Sequence, residues 1–223
     1  MGNANGWLVR CSARLVHRKM GNIKQQKLMR TKSLLLILAL LFANTAWSGD
    51  YEDGRDAAKR GDHSTAFVKF RSAALQGNAI AQTLVGMMYN EGKGVAQDYK
   101  EAVRWWLMAA SQGNSTAQYN LGDMYEEGKG IEQDYKEAVR WYRLAAQQGH
   151  SNAQHNLGIM YGLGQGVLQD YVRAHMWFNI AAVNGISSVK NRDTMASKMT
   201  PQQIEQAQRM ARECMASNFT KCD

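Results

Sequence analysis

Ser187 and Lys190 have the spacing of a catalytic pair, because a lysine one helical turn from a serine can activate that serine for acyl transfer. Enzymes that use this pair also carry S-D-N and K-T-G elements, and neither element follows in this chain. A solvated linker ahead of the terminal helices explains the spacing better. We therefore predict that the chain has no catalytic residue and is not an enzyme.

Two further groups of residues have the composition of a ligand site. His150 and His155 are five residues apart and His175 lies in the next predicted helix, whereas a helical zinc site uses a four-residue spacing with further ligands. The alternating glycines at 161–166 resemble a phosphate-binding loop, but no strand precedes them and similar loops occur twice earlier in the chain. We predict no metal site and no cofactor.

The net charge of +8 is concentrated at the N-terminus. Residues 1–48 hold eight of the 27 Lys and Arg and none of the 19 Asp and Glu, which leaves the remainder with 19 charges of each sign. A body without excess positive charge has no electrostatic footprint for a phosphate backbone. The sequence therefore predicts no nucleic-acid partner.

The segment Met29–Ser48 has the organisation of a signal peptide. A short basic region precedes ten apolar residues at 34–43, and small residues at 46 and 48 form a cleavage site. We predict cleavage after Ser48, a mature start at Gly49, and a periplasmic or secreted protein. The alternative is an uncleaved anchor, and only in that case is a membrane a partner.

Residues 1–28 are basic but contain no long apolar stretch, which is untypical of a signal peptide. Either translation begins at Met20 or Met29, or these residues form a disordered extension.

The cysteines agree with export. Cys11 lies in the leader, which leaves Cys214 and Cys222, and an even number in an oxidising compartment predicts one disulfide. Two free thiols are the alternative. Eight residues of continuous helix would hold the two Cα atoms about 12 Å apart, too far for a disulfide, and so the helix must end between them, near Asn218.

The chain repeats itself with a period of 36 residues. DYKEAVRWW at 98–106 returns as DYKEAVRWY at 134–142, and residues 98–133 match residues 134–169 at 23 of 36 positions. Each copy contains two helical patterns of apolar residues at spacings of three and four. A fixed period of this length indicates a solenoid, and the short links between helices predict antiparallel neighbours.

Three features of the repeat predict how its helices are built. Asp98 precedes the second helix as an N-cap, and Gly113 ends that helix in a left-handed conformation. A glycine recurs inside the first helix, where it costs about 1 kcal/mol relative to alanine. We predict that Gly86, Gly122 and Gly158 allow close helix–helix approach. The aromatic pairs at 105–106, 141–142 and 177–178 are predicted to form the core.

The segment AQYNLGDMYEEGKGIEQDYKEAVRWYRLAAQQG at 117–149 closely resembles the Sel-one-like repeat, a relative of the tetratricopeptide repeat. The resemblance covers about 62–185. It implies an all-α fold, a right-handed superhelical solenoid of antiparallel helix pairs with 36-residue repeats, and an adaptor role. Some cysteine-rich members have been described as β-lactam binders or weak β-lactamases. The alternative function is therefore a β-lactam or peptidoglycan-fragment binding protein or a weak cell-wall hydrolase, although no repeat here contains a cysteine.

These observations predict a set of domain boundaries. They are a leader and signal peptide at 1–48, an N-terminal capping helix at 49–61, repeats at 62–97, 98–133 and 134–169, a final half repeat at 170–185, and a C-terminal helical cap with a disulfide at 186–223.

The residues that differ between the repeats predict where a partner binds. Three slots of the first helix, at i, i+4 and i+7, change from copy to copy, and they form one stripe away from the packing face. First helices of such solenoids line a concave surface, where we predict that a protein or peptide binds. Drift on a solvated face is the alternative. The predicted partner-binding residues are Thr83, Met87, Asn90, Tyr119, Asp123, Glu126, His155 and Ile159.

Overall fold

The computed structural model describes residues 49–222, and all regular secondary structure in that range is helical. The predicted signal peptide and its cleavage site at Ser48 lie outside the described residues. None of the described helices is long and apolar enough to cross a membrane. The helices are α1 (49–59), α2 (His63–Leu75), α3 (Ala79–Glu91), α4 (Tyr99–Ser111), α5 (Ser115–Glu127), α6 (Tyr135–Ala146), α7 (Ser151–Leu163), α8 (Tyr171–Val183), α9 (Val189–Ala196) and α10 (Pro201–Ala216).

The helices form a right-handed superhelical solenoid of antiparallel pairs with a period of 36 residues, as the sequence predicted. Each helix from α2 to α8 packs against the next one along the chain, and α10 packs back against α8. The repeated aspartates begin alternate helices. Asp98 accepts hydrogen bonds from the backbone N–H groups of Lys100 and Glu101, at 2.9 and 3.1 Å. Asp62, Asp134 and Asp170 cap their helices in the same way.

The glycines inside α3, α5 and α7 leave space for an aromatic side chain of the next helix. A Cβ atom on Gly122 would lie within 3.0 Å of three ring atoms of Tyr142. Trp106 and Phe178 occupy the same position against Gly86 and Gly158. All three aromatic side chains are buried. Both the close approach and the core role of the aromatic residues are therefore confirmed.

A buried glutamine in each repeat joins three helices. Gln82 of α3 donates to the carbonyl of Ala74 in α2 at 3.1 Å and accepts from Gln112, the residue that ends α4, at 2.8 Å. Gln118 with Gln148, and Gln154 with Asn184, repeat this arrangement at 2.7 and 2.8 Å. We name these three contacts the amide rungs. Because each amide rung satisfies a buried polar group, it fixes the relative orientation of successive helices.

The glycine-containing loop of each repeat packs against the preceding helix pair. Gly92 and Gly94 both have positive φ, and a Cβ atom on Gly94 would overlap the backbone of His63 at the start of α2. The loop residues 128–130 and 164–166 repeat the conformation against α4 and α6. Only glycine tolerates both the backbone angle and the contact.

The C-terminal helix closes the stack. Thr200 and Gln203 form a capping box and Pro201 is the first helical residue. The buried face of α10 consists of Ala207, Ala211 and Cys214.

The Sγ atoms of Cys214 and Cys222 lie 1.94 Å apart, at disulfide-bonding distance. The helix ends at Ala216, and Asn218 and Phe219 adopt positive φ, close to where the sequence predicted the helix to stop. The Phe219 ring packs against Gly149, so this turn lies on the link between α6 and α7.

Candidate functional site

The predicted partner-binding stripe is not uniformly exposed. Thr83, which was predicted to belong to it, is buried. This side chain is only 4% exposed, and its hydroxyl donates back to the carbonyl of Ala79 at 2.9 Å. The carbonyl of Thr83 in turn accepts from the indole of Trp106. Thr83 is therefore part of the packing between α3 and α4. On the same helix Met87 is exposed and Asn90 is half-buried.

The stripe on α5 forms a hydrogen-bonded cluster of polar side chains. The hydroxyl of Tyr142 lies 2.6 Å from Oδ1 of Asp123 and 2.5 Å from Oε2 of Glu126. Asn156 of α7 donates to the same oxygen of Asp123 at 3.2 Å. A tyrosine hydroxyl has one hydrogen and can donate to only one carboxylate at a time. The two carboxyl groups therefore compete for it, and a proton on one of them relieves the competition.

Burial controls the ionisation of this cluster. Loss of solvent raises the pKa of Asp123 to about 6, and the negative charges of Glu126 and Glu127 act in the same direction, although hydrogen bonds from Tyr142 and Tyr119 oppose the shift. Burial also raises the pKa of Tyr119 and Tyr142, so both remain neutral at physiological pH. Among residues 49–222, no lysine or arginine forms an ion pair with Asp123 or Glu126.

Tyr119 completes the α5 part of the stripe. Its ring is half-buried and stacks on the imidazole of His150, with centroids 4.8 Å apart. His150 is at the same time the N-cap of α7, where its Nδ1 accepts from the backbone of Ala153 at 3.3 Å. This stacking therefore holds the Tyr119 ring, which forms the aromatic wall of the cluster, against the start of α7.

Asp123→Asn is expected to stabilise the chain by roughly 1–2 kcal/mol at pH 7.5. An aspartate in the unfolded chain has a pKa of about 3.9. Because Asp123 titrates near 6 when folded, the folded state binds more protons between pH 4 and 6, and stability falls as pH rises through this range. Asparagine keeps an oxygen acceptor without the charge. Urea unfolding at pH 4.5 and 7.5 should show a gain that is larger at pH 7.5.

Glu132→Gln is the matched control for this effect, since Glu132 is an exposed residue of the loop after the same helix and lies outside the polar cluster. Its unfolding midpoint should not change. A variant Asp123→Asn that is less stable than the parent chain at pH 7.5 would show that the carboxylate is favourably placed.

The stripe on α7 is partly covered by α9, which the sequence reasoning did not anticipate. Nδ1 of His155 lies 2.7 Å from the hydroxyl oxygen of Ser188, and Ser188 is fully buried. The interpretation of 187–190 as a solvated linker is therefore wrong at Ser188. The 36-residue period contained a signal that α9 continues the packing. Met195 lies 36 residues after Ile159 and is also apolar.

A cavity of about 270 Å³ lies between α7 and α9. We name it the α7–α9 cavity. One of its lining residues is Ile159, which belongs to the predicted stripe and is half-buried. Its walls are mostly apolar and are formed by Ile159, Gly162, Leu163, Phe178, Asn191, Thr194 and Met195.

The candidate catalytic and metal residues are not assembled into a site in the described part of the chain. Ser187 is exposed ahead of α9, and no hydrogen bond joins it to Lys190. The imidazole of His175 is buried by α8 packing, while His150 and His155 make the separate contacts described above. Within 49–222 no three His, Cys, Asp or Glu side chains are grouped to hold a metal ion.

The fold and the repeated packing positions define a helical-repeat solenoid of antiparallel helix pairs. Three consecutive segments, 79–114, 115–150 and 151–185, match the Sel1 repeat. The chain belongs to the Sel1 repeat family.

Two solved structures show how far this likeness extends. A Sel1 repeat protein from Oxalobacter formigenes is 37% identical, with a TM-score of 0.53, over 57% of this chain and 96% of its own. A protective antigen present in uropathogenic Escherichia coli strains, displaying an SLR fold, is 30% identical with a TM-score of 0.53. That match covers 70% of this chain but only 42% of the antigen, so this chain spans less than half of the antigen's length. No curated protein matches the chain significantly in sequence.

Proposed function

We propose that this chain is an exported adaptor, without chemistry of its own, that binds a protein or peptide segment on the concave surface lined by α3, α5 and α7. The observation that carries the proposal is the polar cluster of Asp123, Glu126 and Tyr142. The corresponding slots of the neighbouring repeats contain Met87 and Ile159 in place of Asp123. A half-buried carboxylate in a slot that an apolar side chain fills elsewhere lowers stability, and such local departures are typical of functional positions.

The surface also has the chemistry of a protein-binding site. Tyr119 presents a large and rigid aromatic group beside the two carboxylates, and tyrosine is enriched at the centres of interfaces. Because neither carboxylate has a basic partner within the described residues, the surface is open to a ligand that supplies one. Export rests on the leader sequence and on the cysteine pair at bonding distance, which fits an oxidising compartment.

Asp123→Lys and Tyr119→Ala are each expected to reduce partner capture at least tenfold. The first reverses the charge at the centre of the surface, and the second removes its aromatic wall. Crosslinking in cells, followed by affinity purification and mass spectrometry, compares each variant with the parent chain. Circular dichroism confirms that each variant is folded.

Glu132→Lys is the matched control, since it makes the same charge reversal at an exposed loop residue between α5 and α6. Its captured proteins should equal those of the parent chain. Capture that both stripe variants leave unchanged would place the binding surface elsewhere on the molecule.

A further inference from the structure

We propose that the α7–α9 cavity receives an apolar side chain of an extended partner segment whose basic residue, three positions away, binds Asp123 and Glu126. This inference rests on the adaptor function above and specifies the chemistry of the bound segment. Three observations carry it: the size and lining of the cavity, the lack of an ion-pair partner for Asp123 and Glu126 within residues 49–222, and the spacing between the carboxylates and the cavity.

The cavity has the size and polarity to hold one side chain. Its volume of about 270 Å³ falls just below the 300–1,000 Å³ of small-molecule pockets. Ile159, Phe178 and Met195 supply apolar walls, and Asn191 and Thr194 are its polar lining residues. An apolar anchor in a small pocket with polar groups around it is typical of the centre of an interface.

An exposed leucine extends this apolar surface in the third repeat only. Leu163 lines the cavity and is 62% exposed. The corresponding residues of the other repeats are Glu91 and Glu127, each paired with a lysine two residues later. The third repeat replaces both members of that ion pair, with Leu163 and Gln165. The loss of a solvated ion pair next to a cavity therefore produces an apolar patch that a partner can cover.

The carboxylates decide which kind of segment fits. Asp123 and Glu126 receive hydrogen bonds from Tyr142 and Asn156, but these donors are neutral. A lysine or arginine side chain would add charge-assisted hydrogen bonds and separate the two negative charges. A basic segment is therefore complementary to this surface, whereas an acidic one is repelled.

The contact between α5 and α7 sets the spacing of the two groups. The hydrogen bond from Asn156 to Asp123 shows that α5 and α7 are neighbours joined through their side chains. The axes of neighbouring helices are on the order of 10 Å apart, and the cavity lies on the side of α7 that faces α9. An extended chain covers this distance in roughly three residues. The expected pattern is a Lys or Arg and a Leu, Ile, Met or Phe, separated by two residues of any type.

Selection from a random heptapeptide library displayed on phage tests the inference on the full chain. Most of the enriched peptides should contain the basic and apolar residues at this spacing. The best peptide, synthesised with a fluorescent label, is then titrated with the parent chain and its variants by anisotropy. The double variant Asp123→Asn/Glu126→Gln and the single variant Leu163→Ser should each weaken binding at least tenfold.

Two matched controls separate local chemistry from general effects. Glu127→Gln removes a carboxylate on the same helix that does not contact Tyr142, and Leu168→Ser removes a leucine that is 91% exposed in the same loop but does not line the cavity. Both should bind within twofold of the parent chain. Circular dichroism of the double variant establishes that weaker binding does not reflect unfolding.

The outcomes distinguish this inference from the adaptor function. Enriched peptides that lose binding with Tyr119→Ala but lack a basic residue, or that bind the double variant as tightly as the parent chain, would overturn the inference and leave the adaptor function standing. Peptides that Tyr119→Ala does not affect, or a library that yields no binder, would overturn both. Light scattering that shows a second copy of the chain occupying the surface would also overturn the inference.

Discussion

Gly122→Ala is expected to lower the free energy of unfolding by about 2 kcal/mol, even though alanine is the better helix former by about 1 kcal/mol. The added methyl group would meet the ring of Tyr142, which is fully buried. The ring cannot retreat without moving its hydroxyl out of hydrogen-bonding distance of Asp123 and Glu126. The clash therefore separates α5 from α6 and disturbs the polar cluster at the same time.

Urea unfolding followed by circular dichroism measures this loss, and Gly162→Ala is the matched control. Gly162 also lies inside a first helix, but the nearest atom to its added methyl group is the sulfur of Met195, at 3.1 Å. A methionine side chain is flexible enough to move aside. Gly162→Ala should therefore be neutral or slightly stabilising. Equal destabilisation by the two substitutions would mean that helix geometry, and not the aromatic contact, requires the glycines.

Replacing Cys214 and Cys222 together by serine is expected to lower stability by about 2.5 kcal/mol. The covalent link closes a short loop and so reduces the entropy of the unfolded chain. Cys214 is fully buried, and a serine hydroxyl at this position would add a desolvation cost. The loss should be concentrated at the C-terminal end of the stack, since each unit of a solenoid contacts only its neighbours.

Reduction provides the control for this prediction. Dithiothreitol should shift the unfolding midpoint of the parent chain and leave that of the double serine variant unchanged. Hydrogen exchange should show faster exchange in α10 than in α5 after reduction. A parent chain whose midpoint does not respond to dithiothreitol would show that the two cysteines contribute nothing as a covalent pair.

The parts of the fold that depend on near neighbours in sequence were predictable. The N-cap at Asp98, the left-handed Gly113 and the helix end near Asn218 each follow from the conformational preference of a few residues. The three copies of the repeat strengthened these predictions, because a packing residue must be compatible with the same neighbours each time. The period also identified the glycines that meet Trp106, Tyr142 and Phe178.

The parts that depend on contacts between different helices were not predictable in this way. Thr83 occupies a variable slot, yet its hydroxyl bonds within its own helix and Trp106 covers it. Asp123 and Glu126 were placed on the stripe, but their shared donor, Tyr142, replaces Trp106 and Phe178 at a core position. No rule of spacing connects a core substitution on one helix with a surface substitution on another. The burial of Ser188 likewise depends on His155, 33 residues earlier.

The amide rungs have a mechanical consequence for the solenoid. Gln82, Gln118 and Gln154 each connect a first helix to the helix before it and to the end of the helix after it. A force that uncoils the superhelix along its axis must extend these hydrogen bonds in series, one set for each repeat. The amide rungs therefore stiffen the solenoid and oppose changes in the curvature of the superhelix.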